Sequence, residues 1–470
     1  MHRIRRQILD LELPREQGAA GLARRAGRLF QEKVLPELDK VFTKMAPEGQ
    51  ILRIRRLEVD LERLSETRFE EEFVNSCIRQ IIRQMSEAAF EAAPEAAPAG
   101  VETLSAEENI LAIFLHFAER GVLPWHAQGL PLAVVEKQLM ELAAAQPGLI
   151  RRALAGKAPS WDIPVFQRLA WQFSLPFAEK MIETARELPA GTVAEVLKIW
   201  RGQSARELPP AQSAAVLKAL ARAGTATAFR LPPDPVRITA WLAEQGLSAP
   251  AHRKATPSAP EAAAGRPAGQ QLPAASQQDD GRKQPEPAVV PSRAEARSRR
   301  MPTEEEGIPV ENAGLALLAP YLPAFFDELN LSFQEAGPAD THRAVHLLHF
   351  LATGRENPEE PQLLFPKLLC GFGWEAPVPQ SLVLPDKEKT ECRQLLEAVI
   401  RNWPALKNTS PDGLRGAFLQ RPGLISWKEG QQAWMLRVER KAQDLLLDRI
   451  PWSYSVLKFK WMQQMILVEW

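Results

Sequence analysis

Proline is the residue that most limits how this chain can fold. The sequence contains 40 prolines among 470 residues. A proline inside an α-helix removes a backbone hydrogen bond and costs about 3 kcal/mol, or it bends the helix. The sequence therefore predicts many short helices with frequent interruptions, and it excludes one long continuous helix.

The first 90 residues combine strand-like and helix-like patterns. Two strands are predicted over His2–Leu13 and Ile51–Leu64, because apolar side chains occupy every second position in residues 9–13 and 57–61. Residues Glu16–Met45 carry apolar side chains at helical spacing, with a kink expected at Pro36, and another helix is expected after the second strand. These patterns predict a small N-terminal α/β domain over residues 1–90.

The remainder of the chain divides into three parts by composition. The apolar pattern of residues 101–247 predicts a middle domain of helical hairpins. Its clearest helix, Asn109–Gly121, ends at a glycine in the C′ position. Residues 248–306 are rich in Ala, Pro and Gln with few large apolar side chains, which predicts a disordered linker. Residues 307–470 predict a C-terminal α+β domain that starts helical and ends in β-strands. The expected fold class is α+β, mainly α.

Charge and cysteine content narrow the classes of function. Lys and Arg number 58, as do Asp and Glu, so the formal net charge is zero and a dedicated nucleic-acid binder is not expected. The three cysteines are far apart and make neither a disulfide framework nor a zinc motif. No signal peptide and no membrane span are recognisable, so we expect a cytoplasmic protein without a cofactor.

Residues 436–470 are unusually dense in aromatic and β-branched side chains. Such a segment fits a strand that completes a core, or a surface kept for a partner. The strands near both ends of the chain could also share one sheet. On the partner interpretation, the candidate binding residues are the large apolar ones in this segment: Trp452, Phe459, Trp461, Met465 and Trp470.

Several segments of the sequence have a distinctive composition. Near the end it reads LLLDRIPWSYSVLKFKWM followed by VEW, and near the start HRIRRQILDLEL and RIRRLEVDLERL. Two internal blocks read LLFPKLLCGFGWEAPVP and NWPALKNTSPDGLRGAFLQRPG. In these segments the sequence resembles the contractile injection system tape measure proteins of phage-tail-like particles. The resemblance covers both ends and weakens between about residues 130 and 305.

A short pattern occurs twice: Leu115-His116-Phe117 before Gly121, and Leu348-His349-Phe350 before Gly354. Both copies end an apolar helix, which suggests an internal repeat.

Two groups of residues raise the question of chemistry. His342, His346 and His349 fall on one predicted helix face and could hold a metal, but no further ligand motif accompanies them. Cys370 precedes Gly371 and could be a nucleophile, although a small buried side chain in a turn is the simpler interpretation. We therefore predict no metal site, no cofactor and no enzyme.

The resemblance implies a structural assembly protein that acts as a tape measure and helps to set the length of the inner tube and sheath. Its implied partners are the baseplate hub, the inner tube and the tube terminator, and an oligomer inside the tube is left open. Assembly would take place in the cytoplasm, with retention in the released particle left open. The alternative is a helical assembly scaffold, chaperone or terminator-associated factor of the same particle without a ruler role.

Overall fold

The computed structural model describes twelve stretches of the chain: residues 2–4, 7–12, 19–45, 49–54, 57–90, 101–201, 210–223, 235–247, 301–303, 306–331, 333 and 338–470. The α-helices are α1 Ala19–Leu29, α2 Leu35–Met45, α3 Phe69–Phe90, α4 Ala106–Arg120, α5 Leu132–Ala145, α6 Pro147–Leu154, α7 Ile163–Gln172, α8 Leu175–Arg186, α9 Thr192–Arg201, α10 Pro210–Arg222, α11 Pro235–Glu244, α12 Leu322–Glu328, α13 Pro338–Thr353, α14 Leu364–Leu369, α15 Asp386–Asn402 and α16 Pro411–Leu414. The strands are β1 Gln50–Ile54, β2 Val101–Ser105, β3 Ile308–Val310, β4 Gly423–Lys428, β5 Ala433–Val438, β6 Val456–Leu457 and β7 Ile466–Glu469. The predicted class, α+β and mainly α, is confirmed.

Prolines lie in the first turns of helices and at helix interruptions, in agreement with the short helices that the sequence predicts. Several helices carry proline in their first turn, where no backbone hydrogen bond is lost; examples are α6, α7, α8 and α12. The predicted interruption near Pro36 takes the form of a π-helical turn, Phe30–Val34, between α1 and α2. The apolar segment Ala313–Tyr321 is a 3₁₀ helix that contains Pro320. No described helix combines the length and the apolar character that a membrane crossing requires.

The N-terminal sheet differs from the prediction. Neither 2–4 nor 7–12 forms a strand, and of the predicted strand Ile51–Leu64 only the start belongs to β1. β1 pairs antiparallel with β2, which follows the predicted spacer and runs directly into α4. Residues 57–62 still alternate between half-buried and exposed side chains. Alternation of apolar and polar side chains shows only that one face of a segment is buried. Residues 57–62 bury that face against the N-terminal core without pairing to another described strand.

The C-terminal sheet has five strands in the order β3-β4-β5-β7-β6. β7 lies between β5, to which it is parallel, and β6, to which it is antiparallel. Its side chains Ile466 and Val468 are buried, and Val468 stands opposite the fully buried Leu436. Residues 466–469 are therefore an interior strand, as the core interpretation of this segment predicts. The alternative of one sheet shared by N- and C-terminal strands is wrong for the described residues, where the two sheets are separate.

Buried apolar side chains form three clusters. One lies within residues 26–85, one within 110–242, and the third within 308–468 together with Val122. The predicted domain boundaries stay predictions, and most of the predicted linker lies outside the described residues. Met301 and Pro302, at its end, pack against the C-terminal domain: Pro302 O accepts a hydrogen bond from Trp427 N at 2.8 Å. The half-buried Met301 and the buried Pro302 therefore contact the core of residues 308–468.

Removal of Val468–Trp470 is expected to destabilise the C-terminal domain by about 3 kcal/mol or more. The truncation exposes the core beside Leu436 and removes a buried valine, whose burial alone contributes about 1.5–3 kcal/mol. Urea unfolding followed by tryptophan fluorescence measures this loss. Lys460→Ala, at an exposed position of the same segment, is the control and should change stability by less than about 0.5 kcal/mol. An unchanged urea midpoint in the truncated protein would show that β7 is dispensable for the fold.

Candidate interaction site

Three of the five predicted partner-binding residues are tryptophans tied to the fold by their ring nitrogens. Trp452 Nε1 donates to Leu317 O at 3.0 Å, and Trp461 Nε1 donates to Leu369 O at 2.9 Å. Trp470 Nε1 donates to Asp444 Oδ2 at 3.0 Å. All three rings are half-buried and pack against the C-terminal core. Each ring is held in one orientation, with part of its surface still facing solvent.

The other two predicted residues lie on the outer side of the same region. The ring of Phe459 stacks on that of Trp461, with 4.9 Å between centroids, and Trp461 in turn contacts Phe333. Met465 precedes β7, and 39% of its surface is exposed. Val456, on the edge strand β6, is 56% exposed. Phe459, Met465 and Val456 are therefore apolar side chains of one chain segment that keep part of their surface exposed.

A buried ion pair holds Trp470 in place. Arg421 Nη1 and Nη2 contact Asp444 Oδ1 and Oδ2 at 2.6 and 2.8 Å, and both side chains are almost fully buried. The guanidinium also lies over the ring of Trp470, 5.3 Å from its centroid. Burial on its own would raise the pKa of Asp444, but hydrogen bonds from Arg421, Lys441 N and Trp470 outweigh burial and lower it.

A second buried cluster of charges joins the middle and C-terminal parts of the chain. Arg168, on α7, contacts both carboxylate oxygens of Glu360 at 3.2 Å, across 192 residues of sequence. The same guanidinium donates to Ala118 O at 3.0 Å and to Glu119 O at 3.2 Å, at the end of α4, and to Glu375 O. Arg168 is therefore hydrogen-bonded to both parts of the chain at once.

Glu360 is the centre of this cluster. Its Oε1 also accepts a hydrogen bond from Lys367 Nζ at 2.6 Å, and all three charged side chains are at most 1% exposed. Burial lowers the pKa of Lys367 to about 8, while the neighbouring Glu360 opposes that shift. Loss of this carboxylate would leave two cations buried without a counter-charge, which is strongly destabilising. We call Arg168, Glu360 and Lys367 the interdomain charge cluster.

Further polar contacts surround the interdomain charge cluster. Gln172 Nε2 donates to Val378 O at 2.8 Å, and Glu360 N donates to Gln172 Oε1 at 3.0 Å. The Glu359 carboxylate accepts from Leu132 N at 3.1 and 3.2 Å, so a side chain of the C-terminal part caps the first turn of α5. The contact between the two parts is therefore made largely by hydrogen bonds and charges.

Gly121 brings the cluster and the helix end together. It has φ +73, a left-handed conformation in which its N–H bonds Phe117 O at 2.7 Å, as predicted for a C′ glycine. A Cβ at this position would also clash with Glu360 and with the Arg168 guanidinium. The second copy of the repeat has a similar arrangement: Gly354 has φ +69, and Arg415 Nε donates to Leu351 O at 3.1 Å.

The predicted histidine stripe packs beside the same interface. The ring of His342 makes an edge contact with Trp171 of the middle part, 5.7 Å between centroids, and His346 Nε2 lies 2.8 Å from Pro379 O. Burial lowers the pKa of His342 and of His349 to about 4. Cys370 is also buried, and burial raises its pKa. Among the described residues, no group of three or more metal-binding side chains is found.

Comparison with known families identifies the chain. A family model described as contractile injection system tape measure protein matches residues 1–470. The chain belongs to this family. No curated protein and no solved structure matches it. Membership supports a structural role in a contractile injection particle, in agreement with the motifs at both ends of the sequence.

The interdomain charge cluster was not predicted from the sequence. Arg168 and Glu360 look like surface residues there, because each has a charged or polar neighbour, and Lys367 is a single charge within the apolar run LLFPKLL. None of the three belongs to a catalytic motif. One available signal was Gly121, whose position at a helix end was predicted but whose close contact with a distant side chain was not. The role of the C-terminal residues in binding partners stays a prediction.

Asp444→Asn is expected to lower the free energy of unfolding of the C-terminal domain by about 3–5 kcal/mol, because it leaves the Arg421 guanidinium buried without its counter-charge. Chemical denaturation measures the change. Asp448→Asn is the matched control: its pair with Arg440 is more than half exposed, so the loss should stay below about 1 kcal/mol.

The pH dependence of the free energy of unfolding also tests the role of Asp444. Because the folded pKa of Asp444 is lowered, its stabilisation is complete above the usual aspartate pKa of about 3.9 and is lost as the pH falls through the lower folded value. The Asn variant should lack this acid-dependent loss. Equal losses in the Asn variants of Asp444 and Asp448, or equal acid dependence in the wild type and Asp444→Asn, would contradict the assignment.

Proposed function

We propose that this chain acts as a tape measure that helps to set the length of the inner tube and sheath of its particle. The observation that carries the proposal is the family match over the whole chain. It is supported by the division of the buried residues into separate cores on the two sides of residues 248–300. A chain with a folded body at each end can anchor at both ends while the intervening residues set the separation.

The partners that fit this role are the baseplate hub at one end and the inner tube with its terminator at the other. For the C-terminal contact we propose the surface around Phe459, Met465 and Val456, with Trp452, Trp461 and Trp470 as its supporting rings. Aromatic residues and methionine are enriched at the centres of protein interfaces, and rings already fixed by hydrogen bonds lose little freedom on binding. Assembly would occur in the cytoplasm, and the protein would stay in the particle if it spans the finished tube.

We infer a structural and not a catalytic role. The three cysteines are buried, and burial raises the pKa of each, which disfavours the nucleophilic thiolate. Burial lowers the pKa of the α13 histidines, and two of them are engaged: His342 by an edge contact with Trp171 and His346 by Pro379 O. These groups are better suited to packing than to chemistry.

A folded assembly scaffold is the second candidate, and one observation favours it. The middle and C-terminal parts are docked through buried charges, so in this conformation the residues between them do not determine how far apart the two parts lie. A scaffold or terminator-associated factor would work in this compact form. A tape measure would need the two parts to separate.

Tube length decides between the two functions. With residues 251–300 deleted or duplicated in the native gene cluster, a tape measure should give shorter or longer tubes, by up to about 3.3–3.6 Å per residue changed. Electron microscopy of purified particles measures the length distribution. A replacement of 251–300 by a different sequence of equal length is the control and should leave the length unchanged. Tubes of constant length in all variants would exclude the ruler and leave the scaffold.

The proposed contact surface is tested by Met465→Asp. A charge at this exposed position should reduce the yield of particles at least tenfold, because a buried unpaired carboxylate weakens an interface by several kcal/mol. The purified variant should unfold at the wild-type urea concentration, since Met465 is outside the core. Gln463→Asp, an exposed position in the same turn, is the matched control. Normal assembly of Met465→Asp would remove this surface from the proposal.

A further inference from the structure

We propose that the interdomain charge cluster is a latch: it holds the middle and C-terminal parts together in the free protein, and its opening separates them as two folded bodies. The latch consists of Arg168 from the middle part and of Glu360 and Lys367 from the C-terminal part. Opening would convert the compact protein into two bodies on one tether, whichever of the two functions above holds.

The first support is that each part has its own core. The apolar cluster of the middle part runs from Ile110 to Leu242, and the cluster of the C-terminal part runs from Ile308 to Val468. Val122 is the one described residue of the middle part that belongs to the C-terminal cluster. Apart from Val122, the buried apolar residues of each core therefore lie within one part, so the parts could separate without dividing either core. Domains of one chain are expected to move relative to each other unless a large hydrophobic interface joins them.

The second support is the chemistry of the contact itself. Arg168 is hydrogen-bonded to both parts, and the carboxylate of Glu360 lies between the guanidinium and Lys367 Nζ. In the closed form these charges have lost their water and depend on one another. In the open form water would hydrate all of them. Such a contact is strong when complete and weak when one member is lost, which is the behaviour of a two-state element.

The third support is that the covalent connection permits opening. Leu247 and Met301 are joined by residues 248–300, which can reach up to roughly 180 Å at full extension. Such a connection allows the parts to separate, while it keeps their effective concentration high enough for the latch to close again.

The fourth support is the close fit at Gly121. Its backbone approaches Glu360 and Arg168 so closely that any side chain at this position would displace them. The end of α4 is thus shaped to receive a side chain of the other part.

The test measures the distance between the two parts in the full chain. Spin labels at Ala145→Cys and Val383→Cys, both exposed, report it by pulsed electron resonance, and the three native cysteines are buried. Glu360→Gln leaves Arg168 and Lys367 without their counter-charge in the closed form, and Arg168→Gln removes the charge that the middle part contributes to the latch. In both variants we expect the mean distance to lengthen by about 10 Å or more and its distribution to broaden, because a tether of this length permits tens of ångströms.

Two controls separate a latch from general damage. Glu356→Gln removes a carboxylate whose pair with Lys389, also at 2.6 Å, lies within the C-terminal part, and it should leave the distance unchanged. The triple variant Arg168→Met, Glu360→Leu, Lys367→Met removes every charge of the latch and should stay closed, because an apolar contact has no charge for water to hydrate. Hydrogen exchange at the amides of Phe114 and Leu351 reports whether the two cores stay folded.

The outcomes are distinct. Longer distances with protected cores in the two Gln variants, and short distances in both controls, support the latch. Unchanged distances in Glu360→Gln and Arg168→Gln overturn it. Loss of core protection in either Gln variant also overturns it, because the cluster would then be part of the folding of one domain. A long distance in the triple variant would contradict hydration of the charges as the cause of opening.

Discussion

The arrangement of the whole molecule depends on one buried carboxylate. Glu360 accepts hydrogen bonds from Lys367 in its own part and from Arg168, which lies 192 residues earlier in the chain. Neither cation would be tolerated in this dry site alone, and the carboxylate would not be tolerated without them. The close approach of Gly121 and the capping of α5 by Glu359 follow from the same contact. The geometry between the two parts is thus set by charge pairing, whereas the interior of each part is set by apolar packing.

The sequence predicts local structure well and distant contacts poorly. The proline content predicted short helices, and Gly121 predicted the end of a helix in a left-handed conformation. The apolar run at residues 466–468 predicted an interior strand. These features depend on neighbours in sequence. The partner of β1 was missed because β2 follows a spacer of about ten residues, and alternation alone does not say which strand pairs with which.

The candidate sites show the same division. Trp452, Trp461 and Trp470 could be selected from composition alone, but their fixed orientation depends on acceptors elsewhere in the chain, such as Leu317 O and Asp444. For Arg168 and Glu360, nothing in a single sequence distinguishes a buried charge from an exposed one. Burial of a charge is a property of the assembled fold, because only the fold brings its counter-charge to it.

Family membership and the compact conformation impose different requirements on function. A ruler needs separable ends, and a scaffold needs a stable body. The middle and C-terminal parts each have their own apolar core, and the contact between them includes buried charges. If the latch opens, such a protein would be compact before assembly and extended within a particle. Met465 and Val456 are already exposed in the compact form, so they are available to a partner before the latch opens.

The coupling between Arg168 and Glu360 tests this account most directly. A double-mutant cycle with Arg168→Met and Glu360→Leu, made in a Lys367→Met background so that no third charge remains in the cluster, isolates their interaction from other effects of each substitution when it is followed by urea unfolding of the C-terminal domain. Within this background the account predicts that either single variant is less stable than the double variant, with a coupling of about 2 kcal/mol or more, because each single variant leaves one buried charge unpaired and the double variant leaves none. Additive effects, within about 0.5 kcal/mol, would show that the two side chains do not hold the parts of the molecule together.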